Sequence, residues 1–374
     1  MTVVGASLPD MDIAGRADRV RAGLAEAEAD ALLVTDLTNV RYLTGFTGSA
    51  GRLLLTAGHM LLVTDGRYAT QAPEQVASAG VDAAVEVGRT LAAQDEALAG
   101  AVPAGARLGL EADSVTWSAQ RRYARAPWSH GLVATEGIVE AARMVKDEGE
   151  VARLARAAAI ADAALAEVAP TLVERPTEAE VGLALDTAMR RLGAEGVSFE
   201  TIVASGPNGA RPHHRPDDRT IIEGDLVVID FGALVEGYHS DMTRTFLVGE
   251  GTETQRRMFE VVRTAQARGV QAVRGGVAAS DVDAACREVI ADAGWGDAFG
   301  HGTGHGVGLV IHEGPRVATT STAMLAPGHV VTVEPGVYLS EHGGVRIEDT
   351  VLVTDEGCRP LTLAPKAPAP PPAA

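Results

Sequence analysis

Positive charge is scarce in this chain of 374 residues: 32 Lys and Arg stand against 50 Asp and Glu, a net charge of −18. The sequence pI is about 5.0. A face that grips a phosphate backbone or an anionic bilayer needs clustered basic residues, so nucleic acid and membrane surfaces are poor candidate partners. Lysine occurs only at Lys146 and Lys366, with arginine used elsewhere, which reads as compositional bias rather than chemistry. Cysteine is nearly absent too. Cys286 and Cys358 alone make no disulfide framework, and a reducing, cytoplasmic setting is expected. No apolar run reaches membrane-spanning length. Residues Met1 to Asp12 lack the basic and apolar regions of a secretory signal.

What is there begins with length, which favours two domains over one core. Residues 14–135 alternate between helical and strand patterns. Ala14–Asp30, Arg67–Ser78 and Ser114–Ala124 have helical spacing, while Ala31–Thr35, Arg52–Thr56, Met60–Asp65 and Arg107–Glu111 are short apolar strands. This predicts an α/β domain over residues 1–142, with Gly137–Lys146 as a connecting helix. Residues 143–363 follow another rhythm. A helix over Asp147–Ala169 is followed by one opened by Thr177 and Glu180 in capping-box spacing, and then by a hairpin, Asp225–Gly232 with Tyr238–Gly249. The order recurs: a helix capped by Thr252 and Gln255, one started by Ser280 and Asp283, and a hairpin of Val330–Tyr338 with Gly344–Thr354. The repeat is of elements and not of letters, and it predicts a pseudo-twofold α+β domain with its hairpins face to face. Residues 364–374, rich in proline and alanine, are expected to be an unpacked tail.

The hairpins carry the chemistry. Asp230 lies in the apolar strand Leu226–Phe231, where a carboxylate is costly unless paired or bound to a metal. A turn over Leu234–Gly237 places it directly opposite Asp241. Like charges about 4.5–5.5 Å apart destabilise a hairpin unless a cation lies between them. A turn centred near Glu341 opposes Glu334 and Glu348 in the same way. One such pair is as readily an accident as a site, whereas two pairs on two hairpins of one pseudo-symmetric domain point to a shared pocket. His301, His305 and His312 fall within twelve residues of a glycine-rich stretch that has neither dinucleotide nor P-loop spacing. There the glycines let the backbone pass close to a crowded site while His305 reaches in. Four carboxylates and an imidazole suit two divalent metals such as Mn²⁺, Co²⁺ or Zn²⁺, and ligand type does not choose among them.

With these residues in hand, the chain resembles the metallopeptidase family of prolidase, aminopeptidase P and methionine aminopeptidase. The stretches that match are IDFGALVEGYHSDMTRTF, HGTGHGVGLVIHE, VVTVEPGVY and GGVRIEDTVLVT. DLTNVRYLTGFTGS and TDGRY resemble the companion domain of prolidase and aminopeptidase P, which methionine aminopeptidases lack. The resemblance covers roughly residues 14–363. It implies a pita-bread catalytic domain preceded by a smaller creatinase/prolidase-type domain. It further implies that Asp230 chelates one metal, that His305 and Glu334 bind the other, and that Asp241 and Glu348 bridge the two. Glu334 then also moves the proton. His213, in ASGPNGARPHHRP, and His312 match the histidines that face the substrate carbonyl, with His214 taken as a surface neighbour. The implied reaction releases the residue before proline from dipeptides or short peptides, in a homodimer. A metal-free creatinase-like hydrolase and a non-catalytic binding module fit less well, because such relatives do not keep the whole ligand set. Thr243 and Arg346 are expected to orient the carboxylates. Asp349 is expected to be structural, and Tyr338 is either pocket lining or core.

Overall fold

A computed structural model describes residues 7–125 and 131–372. The first six residues, part of the stretch read for a leader, and the last two of the tail lie outside that description. The chain divides into two compact units, one over Met11–Arg143 and one from Met144 onward that also takes in the residues before Met11.

The first unit is built on a six-stranded sheet of order β4-β3-β2-β1-β5-β6. Its strands are β1 (Ala31–Val34), β2 (Gly51–Thr56), β3 (Met60–Thr64), β4 (Ala84–Val87), β5 (Leu108–Glu111) and β6 (Leu132–Thr135). The apolar run of β1 is buried on both faces, as central strands require. Helices α1 (Arg16–Leu24), α2 (Leu37–Thr44), α3 (Gln71–Ser78), α4 (Leu91–Ala101), α5 (Trp117–Tyr123) and α6 (Ile138–Met144) complete the order. Sequence periodicity did not reveal α2, α4, β4 or β6. Helix α2 is defined by its ends instead. The Asp36 carboxylate accepts from the Thr38 and Asn39 amides, and Gly45 closes the helix at φ 74°.

The second unit opens with α7 (Glu148–Val168) and α8 (Glu178–Arg191), and its second half with α9 (Glu253–Ala272) and α10 (Ala279–Asp292). Capping boxes start α7, α8 and α9, at Asp147/Glu150, Thr177/Glu180 and Thr252/Gln255. The start expected at Ser280 and Asp283 is different: Ala278 is the cap residue and no side chain caps α10. Asp283 is occupied elsewhere, by Arg287, Thr303 and Thr319. No helix among the described residues is long and apolar enough to cross a membrane.

Strands β7 (Gly196–Val197), β8 (Ile202–Ser205), β9 (Leu226–Phe231), β10 (Ala233–Val235), β11 (Tyr238–His239) and β12 (Met242–Leu247) form the first hairpin and its neighbours. Its tip is a two-residue loop, Glu236-Gly237, with φ of 45° and 75°. Positive φ at both positions matches the twist of the flanking strands. This tip sets a register other than the one expected: Asp230 pairs with Thr243, not Asp241. The shift is two residues, so Asp230 and Asp241 still share a face and become diagonal neighbours. Strand β8, not anticipated, covers the other edge of β9 with Ile202 beside Asp230.

The second hairpin comprises β15 (Val330–Val333), β16 (Gly336–Leu339), β17 (Gly343–Arg346) and β18 (Asp349–Val353), flanked by β13 (Gly304–Gly306), β14 (Glu313–Val317) and β19 (Cys358–Pro360). Val333 pairs with Asp349, and Gly336 with Arg346. Glu334 and Glu348 lie between these two ladders in one continuous register, opposite each other as expected. The hairpins meet along their return strands: the Glu348 amide donates to the Thr243 carbonyl at 3.1 Å, and the Thr350 hydroxyl to the Asp241 carbonyl at 2.7 Å. Behind them lie two apolar clusters. One packs Leu165, Leu185 and Ile229 together, the other Val262, Ile290 and Val351. Each fully buried side chain of this kind contributes roughly 1.5–3 kcal/mol. As far as Pro368 the tail is tied down rather than unpacked. Asp162 accepts from the Leu363 and Ala364 amides, the Ala364 carbonyl accepts from Arg244, and the Pro368 carbonyl accepts from the Leu247 amide.

Candidate metal centre

A cavity of about 1170 Å³ opens in the second unit, and Asp230, Asp241, His305, Glu334 and Glu348 all line it, together with His213 and His312. Strand β9 brings Asp230, the residue just before β12 is Asp241, and the gap between the β15–β18 and β16–β17 ladders brings both glutamates. His305 arrives on β13, whose backbone runs tight against its neighbours. A Cβ on Gly304 would stand 2.0 Å from the Thr332 carbonyl oxygen, and one on Gly306 would stand 2.0 Å from that of Gly314. Glycine is therefore required on both sides of the imidazole, for close approach of backbone.

The groups are brought within a few ångströms. His305 Nε2 lies 3.4 Å from Asp241 Oδ2 and 3.3 Å from Glu334 Oε1. Asp241, His305 and Glu348 each offer a ligand atom, all within 4.8 Å of one another. Arg346 Nη2 donates to Asp230 Oδ2 at 2.6 Å, and the Thr243 hydroxyl to Glu348 Oε2 at 2.7 Å. Burial, together with the charges of the other carboxylates, drives Asp241 and Glu348 well above the usual carboxylate range. Asp230 is raised as well, by burial, against the pull of Arg346. Glu334 goes the other way. Burial would raise it, but the hydrogen bond and charge of His305 hold it down at about 2.

The Metallopeptidase family M24 model matches residues 152–355, a span that holds all five of these side chains. The chain belongs to the metallopeptidase family M24. The Creatinase/Prolidase N-terminal domain model matches residues 16–145 of this M24 chain. It is 41% identical over 339 residues to the uncharacterized peptidase YqhT of Bacillus subtilis, covering 90% of this chain and 94% of that one. Among solved structures, an Xaa-Pro dipeptidase from Bacillus anthracis superposes with a TM-score of 0.91 at 38% identity, covering 96% of this chain and 99% of that one. An X-Pro aminopeptidase from Thermotoga maritima gives 0.83 at 35%, covering 91% and 99%. The repeated helix–helix–hairpin unit is thus the pita-bread catalytic domain of the family, preceded by its creatinase/prolidase-type companion.

The donor set of this M24 centre fits divalent metal. Asp230 Oδ1 and Glu348 Oε1 are buried side-chain oxygens without a hydrogen-bond partner, an arrangement that is costly unless a cation takes them up. His305 Nδ1 lies 3.0 Å from the Gly306 carbonyl. Donation there turns Nε2 toward Asp241 and Glu334, where a cation would displace the proton that Nε2 otherwise gives Glu334, which is how a ligating imidazole is usually set.

Other residues that the sequence singled out join the centre through contacts that no local pattern shows. His301 Nε2 lies 2.9 Å from the Tyr338 hydroxyl, which accepts from Arg346 at 2.8 Å, while His301 Nδ1 faces the Gly302 carbonyl at 2.8 Å. These contacts order the protons as Arg346 to Tyr338 to His301, and Tyr338 is a link in the site rather than inert core. Burial lowers the His301 imidazole, in keeping with its role as acceptor. His305 and His312 meet edge to face with ring centroids 4.4 Å apart, and His312 is lowered by its partial burial and by the neighbouring His305. His214 is not the surface neighbour expected. It is buried, with Nε2 2.8 Å from Glu178 Oε2. Asp349 is structural as expected, bonded to Arg244, Gln266 and Thr362.

Proposed function

We propose that the chain is a two-metal exopeptidase that hydrolyses the bond between an N-terminal residue and proline, in dipeptides or short peptides. The observation that carries this reading is the convergence of four carboxylates and His305 on one cavity wall, with two carboxylate oxygens lacking any partner. The relatives named Xaa-Pro dipeptidase and X-Pro aminopeptidase supply the bond. In this reading Asp230, Asp241, His305, Glu334 and Glu348 would hold the ions, with the division between them as the family resemblance implies. When bound, the ions acidify a water and polarise the scissile carbonyl. Mn²⁺ suits this oxygen-rich set, and Co²⁺ or Zn²⁺ are alternatives.

The chain's own residues supply the rest. Glu334, on the wall of the same cavity, accepts a proton from the attacking water and returns it to the departing proline nitrogen. His213 and His312 line the same cavity and donate to the oxygen on which negative charge builds. Arg346 keeps Asp230 and, through Tyr338, His301 in place. In an Xaa-Pro bond the proline nitrogen itself carries no N–H, and a site shaped for that tertiary amide disfavours ordinary peptides by geometry. A cytoplasmic setting goes with the free thiols Cys286 and Cys358. A homodimer follows only from the family resemblance.

The test is release of alanine from Ala-Pro and from a longer Ala-Pro peptide, after chelation and after reloading with Mn²⁺. Activity that disappears and returns supports the reading, and the better substrate names dipeptidase or aminopeptidase. No release from either peptide by reloaded protein overturns it.

A further inference from the structure

The segment that carries His213 is held from two directions. On one side Arg346, already bonded to Asp230, donates to the Pro212 carbonyl at 3.4 Å. On the other side lies Glu178, the first residue of α8, whose carboxylate is fully buried. Its Oε1 accepts from the Ser205 amide at 2.7 Å, the Ser205 hydroxyl at 2.6 Å and Asn208 Nδ2 at 3.1 Å. Its Oε2 accepts from His214 Nε2 at 2.8 Å and from the Asp217 amide at 3.4 Å. The backbone repeats the attachment: the Glu178 and Ala179 amides donate to the carbonyls of Arg219 and Asp217, each at 3.0 Å. One carboxylate thus gathers the end of β8, the following turn and both flanks of the His213–His214 doublet.

Burying a carboxylate is expensive, and an apolar side chain would fill the space at less cost. What a carboxylate offers instead is direction. It fixes His214 Nε2–H as the donor and locks that ring inward. The neighbouring His213 is then left to line the cavity, exposed, between His214 and the Pro212 carbonyl held by Arg346.

We infer that Glu178 and His214 are a positioning pair that holds His213 where it faces the substrate carbonyl. The inference rests on the reading of His213 as a donor to the developing oxyanion. A displacement of about 1 Å in such a group costs up to about 100-fold in rate.

The experiment is a double-mutant cycle on the Mn²⁺-loaded full chain with Ala-Pro as substrate. It compares wild type, Glu178→Gln, His213→Ala and the double variant, with metal content and melting temperature measured for each. Glu178→Gln is expected to lower kcat between about 10- and 100-fold at nearly constant KM. In the His213→Ala background the same change should alter kcat less than about twofold, because the group it positions is gone. His214→Gln, whose amide still reaches Glu178 as a donor, should retain more activity than His214→Ala. Those two variants carry the same cycle if Glu178→Gln does not fold. An equal loss from Glu178→Gln in both backgrounds overturns the pairing, as does no loss while His213→Ala is impaired. If His213→Ala is itself unimpaired, the reading of His213 fails and the positioning role falls with it.

Discussion

Thr243 shows how little separates a strand residue from a part of the site. Its hydroxyl donates to Glu348 at 2.7 Å and accepts from Arg346 Nε at 3.1 Å, so it fixes a proposed bridging carboxylate and the arginine that restrains Asp230 at once. Thr243→Val keeps the shape and removes both bonds. A buried partner left unsatisfied costs about 1–3 kcal/mol. Loss of such an orienting bond typically weakens metal affinity about 10–100-fold. Titration calorimetry with Mn²⁺ should therefore show weaker binding to the variant, and equal affinity would sink this role. At this scale the sequence is informative where chemistry is concentrated in a short stretch. Asp230, Asp241, His305, Glu334 and Glu348 stand in recognisable strings. Glu178 and His214 are 36 residues apart and meet only through the fold. No local pattern marks either one, and the histidine doublet read as one residue with a spare neighbour.

Elements were legible in proportion to their punctuation. The capping pairs at Thr177/Glu180 and Thr252/Gln255 announced α8 and α9, the helix over Asp147–Ala169 was read without its Asp147/Glu150 box, and α10, which begins without a side-chain cap, was assigned the wrong start. The first hairpin was recognised but slipped by two residues, because its tip is the pair Glu236-Gly237 and not a four-residue turn. The slip was harmless to the site because strand side chains alternate with period two. The turn that feeds β15, and with it Glu334, has its own sensitivity. His329 Nδ1 accepts from the Ala326 amide at 3.2 Å, and burial next to Lys146 lowers the imidazole to about 4. The unfolded chain titrates near 6.5. A depressed folded value means that the neutral ring's stability is complete above the unfolded value and is lost as pH falls from about 6.5 toward 4. His329→Asn keeps an acceptor without that protonation. In urea unfolding of chelated protein between pH 7 and 5, the variant should lose about 1 kcal/mol less than wild type, allowing for solvent screening. Equal losses in the two proteins would rule out His329 as a source of the acid sensitivity.

For the whole molecule the governing fact is charge. A chain of net −18 gathers four of its acidic groups into one cavity wall with Arg346 as their guanidinium counterweight. The sequence disclosed this excess and its concentration on two hairpins. It did not disclose that residues up to Pro368 are bound to the body, because proline-rich composition says nothing about which amides await a carbonyl partner. Folding such a wall costs stability that bound cations return. A ligand that binds only the folded state at 100 times its dissociation constant stabilises by about 2.7 kcal/mol. For a unit the size of the second one, that corresponds to a shift of roughly 5–10 °C. Scanning calorimetry of chelated protein, repeated with Mn²⁺ restored, should show a rise of that order in wild type. Glu348→Gln, which removes a proposed bridging carboxylate while keeping its volume, should show a much smaller rise. A melting temperature that ignores Mn²⁺ in wild type would mean that these carboxylates are held apart by protein alone. The buried oxygens of Asp230 and Glu348 would then need another source of positive charge.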